Sequence, residues 1–241
     1  MNRIINFVFL FILTGIGQIL AQKKISLEAP DKRIVFSFDL VNGSPEYSVR
    51  FNNRALIEHS PLSLSFEHND AWGVNLMAER AVFTNGEDNY TLPAGKTSRV
   101  HDIYKEVSIP LRERSGKKRL IILRVRAFDD GLAFRYEFPV QDNWTAYTLT
   151  DENTCFNLMD NPTARVAFLE NFTTSHEHRY HVLPLKDIQN DTLMDMPALF
   201  EFPRKTYMAI TEANLVNYGG MSLIKRRGML QSQLSPLPGQ T

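Results

Sequence analysis

IILRVRAFDDGLAFRYEF, residues 121–138, alternates on both sides of a turn. Ile121, Leu123, Val125 and Ala127 interleave with Arg124 and Arg126. After Asp129-Asp130-Gly131, Leu132, Phe134, Tyr136 and Phe138 interleave with Ala133, Arg135 and Glu137. A period of two gives one dry face and one wet face, which is the pattern of a strand. Two aspartates and a glycine between such runs are turn chemistry, so the stretch predicts an antiparallel hairpin.

The same period recurs outward from it. Ile34, Phe36, Phe38 and Leu40 form one run, Tyr47, Val49 and Phe51 a second, and Leu62, Leu64 and Phe66 a third. Asn42-Gly43, Asn52-Asn53 and Asn85-Gly86 read as further turns. After the first 21 residues no apolar stripe of helical period runs for about 12 residues or more. Many strands with turn-sized gaps predict an all-β fold. At 241 residues the chain is too long for a small immunoglobulin-like domain, so a large antiparallel β-sandwich is expected. Residues 151–205 carry Pro162, Pro184, Pro197 and Pro203 and read as long loops and short strands over one face. The closing LQSQLSPLPGQT, residues 230–241, reads as polar and turn-like with no closing strand, which suggests that the sandwich is incomplete at this end.

Residues 1–21 read as an export signal: Arg3, then an apolar run broken by Thr14, Gly15, Gly17 and Gln18, then the small Ala21. The breaks fall before the roughly 18 to 20 apolar residues a membrane span needs, so no membrane segment is expected once the signal is removed. Residues 22–241 form a single expected domain with no linker or repeat. That domain has 26 basic and 27 acidic residues, and this balance argues against nucleic acid as a partner. Cys155 stands alone and is expected to be a small buried side chain.

Several local patterns resemble functional motifs. AGKT at 94–97 resembles the tail of a phosphate loop, but Tyr90 stands where the first glycine belongs, so a surface turn is the reading. His176 and His178 would share a strand face and form a zinc-type pair, with His181 on the other face. Asp187, Asp191 and Asp195 lack the dense spacing of a calcium-binding loop. No GxSxG elbow is present. Asn89, Asn143, Asn171 and Asn190 each begin an N-x-T sequon. In TYMAITEANLVNYGG, residues 206–220, Met208 and Ile210 share one strand face, and Glu212 takes the next position on it. A lone carboxylate there must meet a cation, a metal or water. A turn opening at Thr211 or Asn214 would put it in water.

RAFDDGLAFRYEFP (126–139), LTDENTCFNL (149–158), HEHRYHVLPLKDI (176–188) and MPALFEFPRKTYMAITEANLVNYGGMSL (196–223), in that order, resemble the N-terminal domain of glycoside hydrolase family 97. That family comprises exported α-glucosidases and α-galactosidases. The resemblance implies a sandwich of the galactose-mutarotase-like type, a periplasmic location, and a catalytic (β/α)8 barrel beyond the sandwich acting on α-linked oligosaccharides. It implies that the catalytic acids lie on the barrel and not in this chain. It also implies that Glu212, in the matching TEANLVNY, joins barrel glutamates around a calcium ion. A stand-alone periplasmic carbohydrate-binding sandwich is the alternative function.

Overall fold

A computed structural model describes residues 24–236. The expected signal, residues 1–21, and the last residues of the expected domain lie outside that range. Among the described residues no helix is long and apolar enough to cross a membrane.

The first sheet is a meander of β1 (Ile25–Glu28), β2 (Ile34–Val41), β3 (Ser44–Phe51) and β4 (Arg54–Pro61). Its turns are those the sequence signals. Asn42 and Gly43 take φ of 52° and 80°, and Asn52 and Asn53 take 49° and 63°. Two positive-φ residues are what a tight hairpin needs to follow the strand twist. β5 (Leu64–Phe66) and β6 (Asp70–Trp72) then form a small separate ladder.

The second large sheet contains β7 (Leu76–Ala78), β8 (Val82–Thr91), β9 (Arg99–Glu113), β10 (Leu120–Ala127) and β11 (Leu132–Glu137). β10 and β11 are the expected hairpin, paired from Ala127↔Leu132 to Ile122↔Glu137. Its dry side is buried at Ile121, Leu123, Val125 and Ala127. The two sheets meet face to face, with the Tyr47 ring of β3 5.5 Å from the Phe134 ring of β11.

The wet side of this sheet is an ion ladder rather than a solvated face. Arg124 grips Glu137 through Nε and Nη2 at 2.6 and 2.9 Å and also reaches Glu106. Arg126 donates to Glu106 at 2.7 Å and to Asp88 at 3.1 Å, and its guanidinium lies 4.1 Å over the Tyr104 ring. Burial opposes the charge on Glu106, but Arg126 and Arg124 outweigh it and hold the carboxyl below its ordinary range. Arg124 and then Arg135 hold Glu137 down in the same way, against some burial.

The remainder of the chain is more regular than its prolines suggest. β12 (Leu149–Glu152) returns to pair with β5. β13 (Cys155–Phe156), β14 (Thr163–Leu169), β15 (Tyr180–Pro184), β16 (Leu193–Met194), β17 (Ala198–Phe202), β18 (Thr206–Ile210), β19 (Met221–Arg226) and β20 (Met229–Leu234) build an eight-stranded sheet. Residues 151–205 carry the expected short strands, but these do not lie loosely over one face. They supply much of a whole sheet, whose Ala164, Val166, Phe200 and Phe202 join the same core as Phe36 and Val125. Met229–Leu234 is likewise a strand, held between β19 and β13. Every pairing among the described residues is antiparallel, and the whole is the large β-sandwich expected. Lys225 is buried in this sheet and donates to the carbonyls of Leu185, Lys186 and Ile188 at 3.0, 2.9 and 2.6 Å.

Asn85-Gly86 is not a turn. Both residues lie inside β8, with Gly86 opposite Tyr104. A Cβ on Gly86 would come within 2.3 Å of the Tyr104 ring, so the glycine makes room for that ring to lie across the ladder. Gly86→Val is expected to push the ring off Arg126 and destabilise the fold by about 1–3 kcal/mol, the usual scale for overpacking, read from urea unfolding. Tyr104→Ala should remove most of that cost, and full additivity of the two changes would refute the coupling. Acid should act through the ladder. Carboxyls with lowered folded pKa stabilise above the ordinary glutamate value of 4.5, and that stability is lost as pH falls through their folded values. Arg124→Met should flatten this acid limb in pH-dependent unfolding; an unchanged limb would exclude the ladder as its source.

Candidate functional site

β18 ends at Ile210, and the chain leaves the sheet before Glu212. The expected strand register therefore stops one residue-pair short of the acid. Glu212 sits in a loop, residues 211–220, that joins β18 to β19. Asn214 and Asn217 turn this loop with φ of 54° and 52°, a region asparagine tolerates better than other side chains with a Cβ. Leu215 and Val216, between them, are 48% and 68% exposed.

Glu212 is half-buried. Its Oε1 accepts the Met221 N–H at 2.9 Å, so the carboxylate closes the loop onto the first residue of β19. Among the described residues no protein donor is found for its other oxygen, and no Lys, Arg or His pairs with it. Burial holds its carboxyl above the ordinary range, and the Met221 N–H only partly offsets this.

A second tie fastens the same loop. Tyr218 donates its hydroxyl to Glu152 Oε2 at 2.9 Å. Glu152 ends β12, and its Oε1 accepts the Thr154 hydroxyl at 2.7 Å. Thr154 has spent its one proton there, so Tyr136, 3.0 Å away, must donate to Thr154 Oγ1. Glu152 is thus a half-buried carboxylate served by hydroxyls, with no ion-pair partner among the described residues. Burial pushes its pKa up; the Thr154 and Tyr218 hydroxyls pull it down, and the charges of Asp151 and Glu212 add to the rise. Tyr218 is raised by burial first and then by Glu152, with Asp151 and Glu212 acting the same way.

Of the other metal-type residues named from the sequence, the structure brings together only the pair His176 and Asp195 among the described residues. Residues 175–179 are not a strand, so the expected shared face of His176 and His178 does not form. His176 Nδ1 meets Asp195 Oδ2 at 3.0 Å, His178 Nε2 is buried without a partner, and His181 stacks on Phe168 at 4.5 Å. Among the described residues no three His, Cys, Asp or Glu side chains are grouped to hold a metal. Asp187 is exposed, and Asp191 lies near Arg226. Ala94–Thr97 is an exposed bend between β8 and β9. Asn89, Asn143, Asn171 and Asn190 are all exposed. Cys155 is buried, as expected, and burial raises its thiol pKa.

Sequence reasoning missed Glu152, Thr154 and Tyr218. Glu152 and Tyr218 are 66 residues apart, so no local period links them. The available signal was composition: DENT, residues 151–154, sets four polar residues in a row where the chain crosses between sheets.

Residues 27–237 match the family described as Glycosyl-hydrolase 97 N-terminal. The chain is 22% identical over 232 residues to a retaining alpha-galactosidase of Bacteroides thetaiotaomicron, covering 92% of this chain and 34% of that protein. A glycoside hydrolase family 97 enzyme from Pseudoalteromonas sp. strain K8, solved in complexes with panose and with acarbose, superposes with a TM-score of 0.79 at 27% identity, over 88% of this chain and 32% of that one. A beta-arabinopyranosidase shares the fold at the same TM-score of 0.79 and 22% identity, over 90% of this chain and 36% of that one. The chain spans about a third of the length of these relatives. With the match running from β1 to the end of the described sandwich, the chain belongs to the glycosyl-hydrolase 97 N-terminal family.

Proposed function

We propose that this chain is the carbohydrate-associated N-terminal domain of an exported α-glycosidase, that it packs on a catalytic (β/α)8 barrel, and that Glu212 gives one oxygen ligand to a calcium ion shared with that barrel. The observation that carries the reading is the state of Glu212. Its carboxylate is half-buried, its Oε1 is fixed by a backbone N–H, and its other oxygen has no protein donor among the described residues. Hard oxygen of this kind suits calcium, which takes six to eight such ligands, so one carboxylate alone holds the ion weakly. Bound calcium would supply Lewis-acid polarisation of the leaving oxygen or orient the catalytic acid. The part of this chain is to hold the carboxylate at a set place through Met221 and to keep competing cations of its own away from it.

The substrate class follows from relatives. One is an alpha-galactosidase, and another was solved with panose and acarbose, which supports α-linked oligosaccharides. Export to the periplasm rests on residues 1–21. A periplasmic fraction whose protein begins at Gln22 would support it, and a cytosolic product beginning at Met1 would refute it.

Glu212→Gln tests the ligand role. In the intact protein it should weaken calcium binding at least tenfold by titration calorimetry and raise the calcium needed for activity. Because burial already disfavours the charge, metal-free stability should move by less than about 0.5 kcal/mol. Unchanged calcium affinity would remove Glu212 from the site. Oligosaccharide binding by the chain alone, indifferent to Glu212 and to calcium, would instead support a stand-alone carbohydrate-binding sandwich.

A further inference from the structure

We propose that Glu152 is a positioning residue which, through the Tyr218 hydroxyl, fixes the loop that presents Glu212. The proposal rests on the reading of Glu212 as a calcium ligand, but the tie itself is independent of any metal. The loop has ten residues, and seven of them, Thr211 and Ala213 to Tyr218, are exposed. Three ties to the body are found among the described residues: Met221 N–H to Glu212 at 2.9 Å, Tyr218 to Glu152 at 2.9 Å, and Ser235 N–H to the Gly220 carbonyl at 2.7 Å. The first and last act at the β19 end. Only Tyr218 anchors the excursion through Leu215 and Val216.

The anchor point is rigid where the loop is not. Glu152 stands on a segment paired with β5 on one side and tied to β20 on the other, and its second oxygen is locked by Thr154 and, behind it, Tyr136. A half-buried carboxylate with no cation is a costly group to keep, yet a neutral amide, with one oxygen, could accept only one of its two hydroxyl donors. The charge has a use if the donor it holds must be held firmly, because a hydrogen bond to an ionised acceptor is about twice as strong as a neutral one. Tyr218 is the donor from the loop, and its release would free residues 213–220, between Glu212 and Met221, to move.

The test compares Tyr218→Phe, Glu152→Ala, Glu152→Gln and Glu212→Gln in the intact protein. Two quantities are read: hydrogen exchange of the Met221 amide without metal, and the calcium dissociation constant by calorimetry. Tyr218→Phe and Glu152→Ala should each speed Met221 exchange at least tenfold and weaken calcium at least threefold. Glu152→Gln keeps one neutral oxygen acceptor and should give protection between that of Glu152→Ala and the native protein. A purely structural role would lower protection throughout the sandwich, whereas positioning confines the change to residues 211–221. Unchanged Met221 exchange in Tyr218→Phe, a substitution at the surface, overturns the proposal even if Glu152→Ala fails to fold. If Glu212→Gln leaves calcium unaffected while Tyr218→Phe still loosens the loop, the calcium reading falls and the positioning role stands. If Glu212→Gln weakens calcium and Tyr218→Phe moves neither quantity, the positioning role falls alone.

Discussion

The segment from Asp151 to Cys155 has to cross between sheets through the protein interior, and every backbone polar group it carries there must find a partner. The Asn153 N–H donates to the Ser63 carbonyl at 2.9 Å, on the β5 side. On the β20 side the Ser232 N–H donates to the Thr154 carbonyl at 2.8 Å, while the Ser232 hydroxyl accepts the Thr154 N–H at 3.0 Å and donates to the Glu152 carbonyl. The Cys155 carbonyl takes the Tyr47 hydroxyl at 2.8 Å from the first sheet. Three separate sheets are thus joined at one short stretch by small hydroxyls and a phenol, all at buried positions. An unpaired buried group here would cost about 1–3 kcal/mol, so the crossing specifies which strands can meet.

That constraint explains why an uncompensated acid can persist at Glu152. Its backbone carbonyl and its neighbours' amides are already committed to the crossing, which fixes where the side chain emerges. Two hydroxyl donors make its burial tolerable. One belongs to the crossing itself and the other arrives from the loop beside Glu212. The same few residues therefore join the sheets and set the loop, which ties local order at the site to the order of the core rather than to the loop's own sequence. The ion ladder on β10 and β11 shows the contrasting solution, in which arginines accompany every sunken carboxylate and pull its pKa down.

The hairpin at 121–138 was legible because each strand is long and half-buried, so alternation maps directly onto faces. The turns at Asn42-Gly43 and Asn52-Asn53 were legible because positive φ selects those residue types. Asn85-Gly86 misled for a physical reason: the glycine answers a steric demand from the Tyr104 ring across the ladder, and that demand is invisible along the chain. The eight-stranded sheet was under-read because its strands are short. Ala198, Phe200 and Phe202 do alternate, but over five residues bounded by prolines the pattern is too brief to outweigh the loop signals. At Glu212 the strand face that made the acid look out of pattern does not extend that far. The strand ends at Ile210, and the acid is held by a backbone amide nine residues on, a contact that periodicity does not encode.

A ligand carboxylate and a salt-bridge carboxylate differ in what the protein withholds. At Glu106 the fold supplies two guanidinium groups, and the acid is spent on stability. At Glu212 it supplies one amide, no cation among the described residues, and partial burial that holds the carboxyl above its ordinary range. Each of these makes an external cation more welcome, and none provides the further oxygens such an ion needs. With relatives about three times as long as this chain, the proposed calcium site would have to draw its remaining oxygens from the part of those proteins this chain does not span.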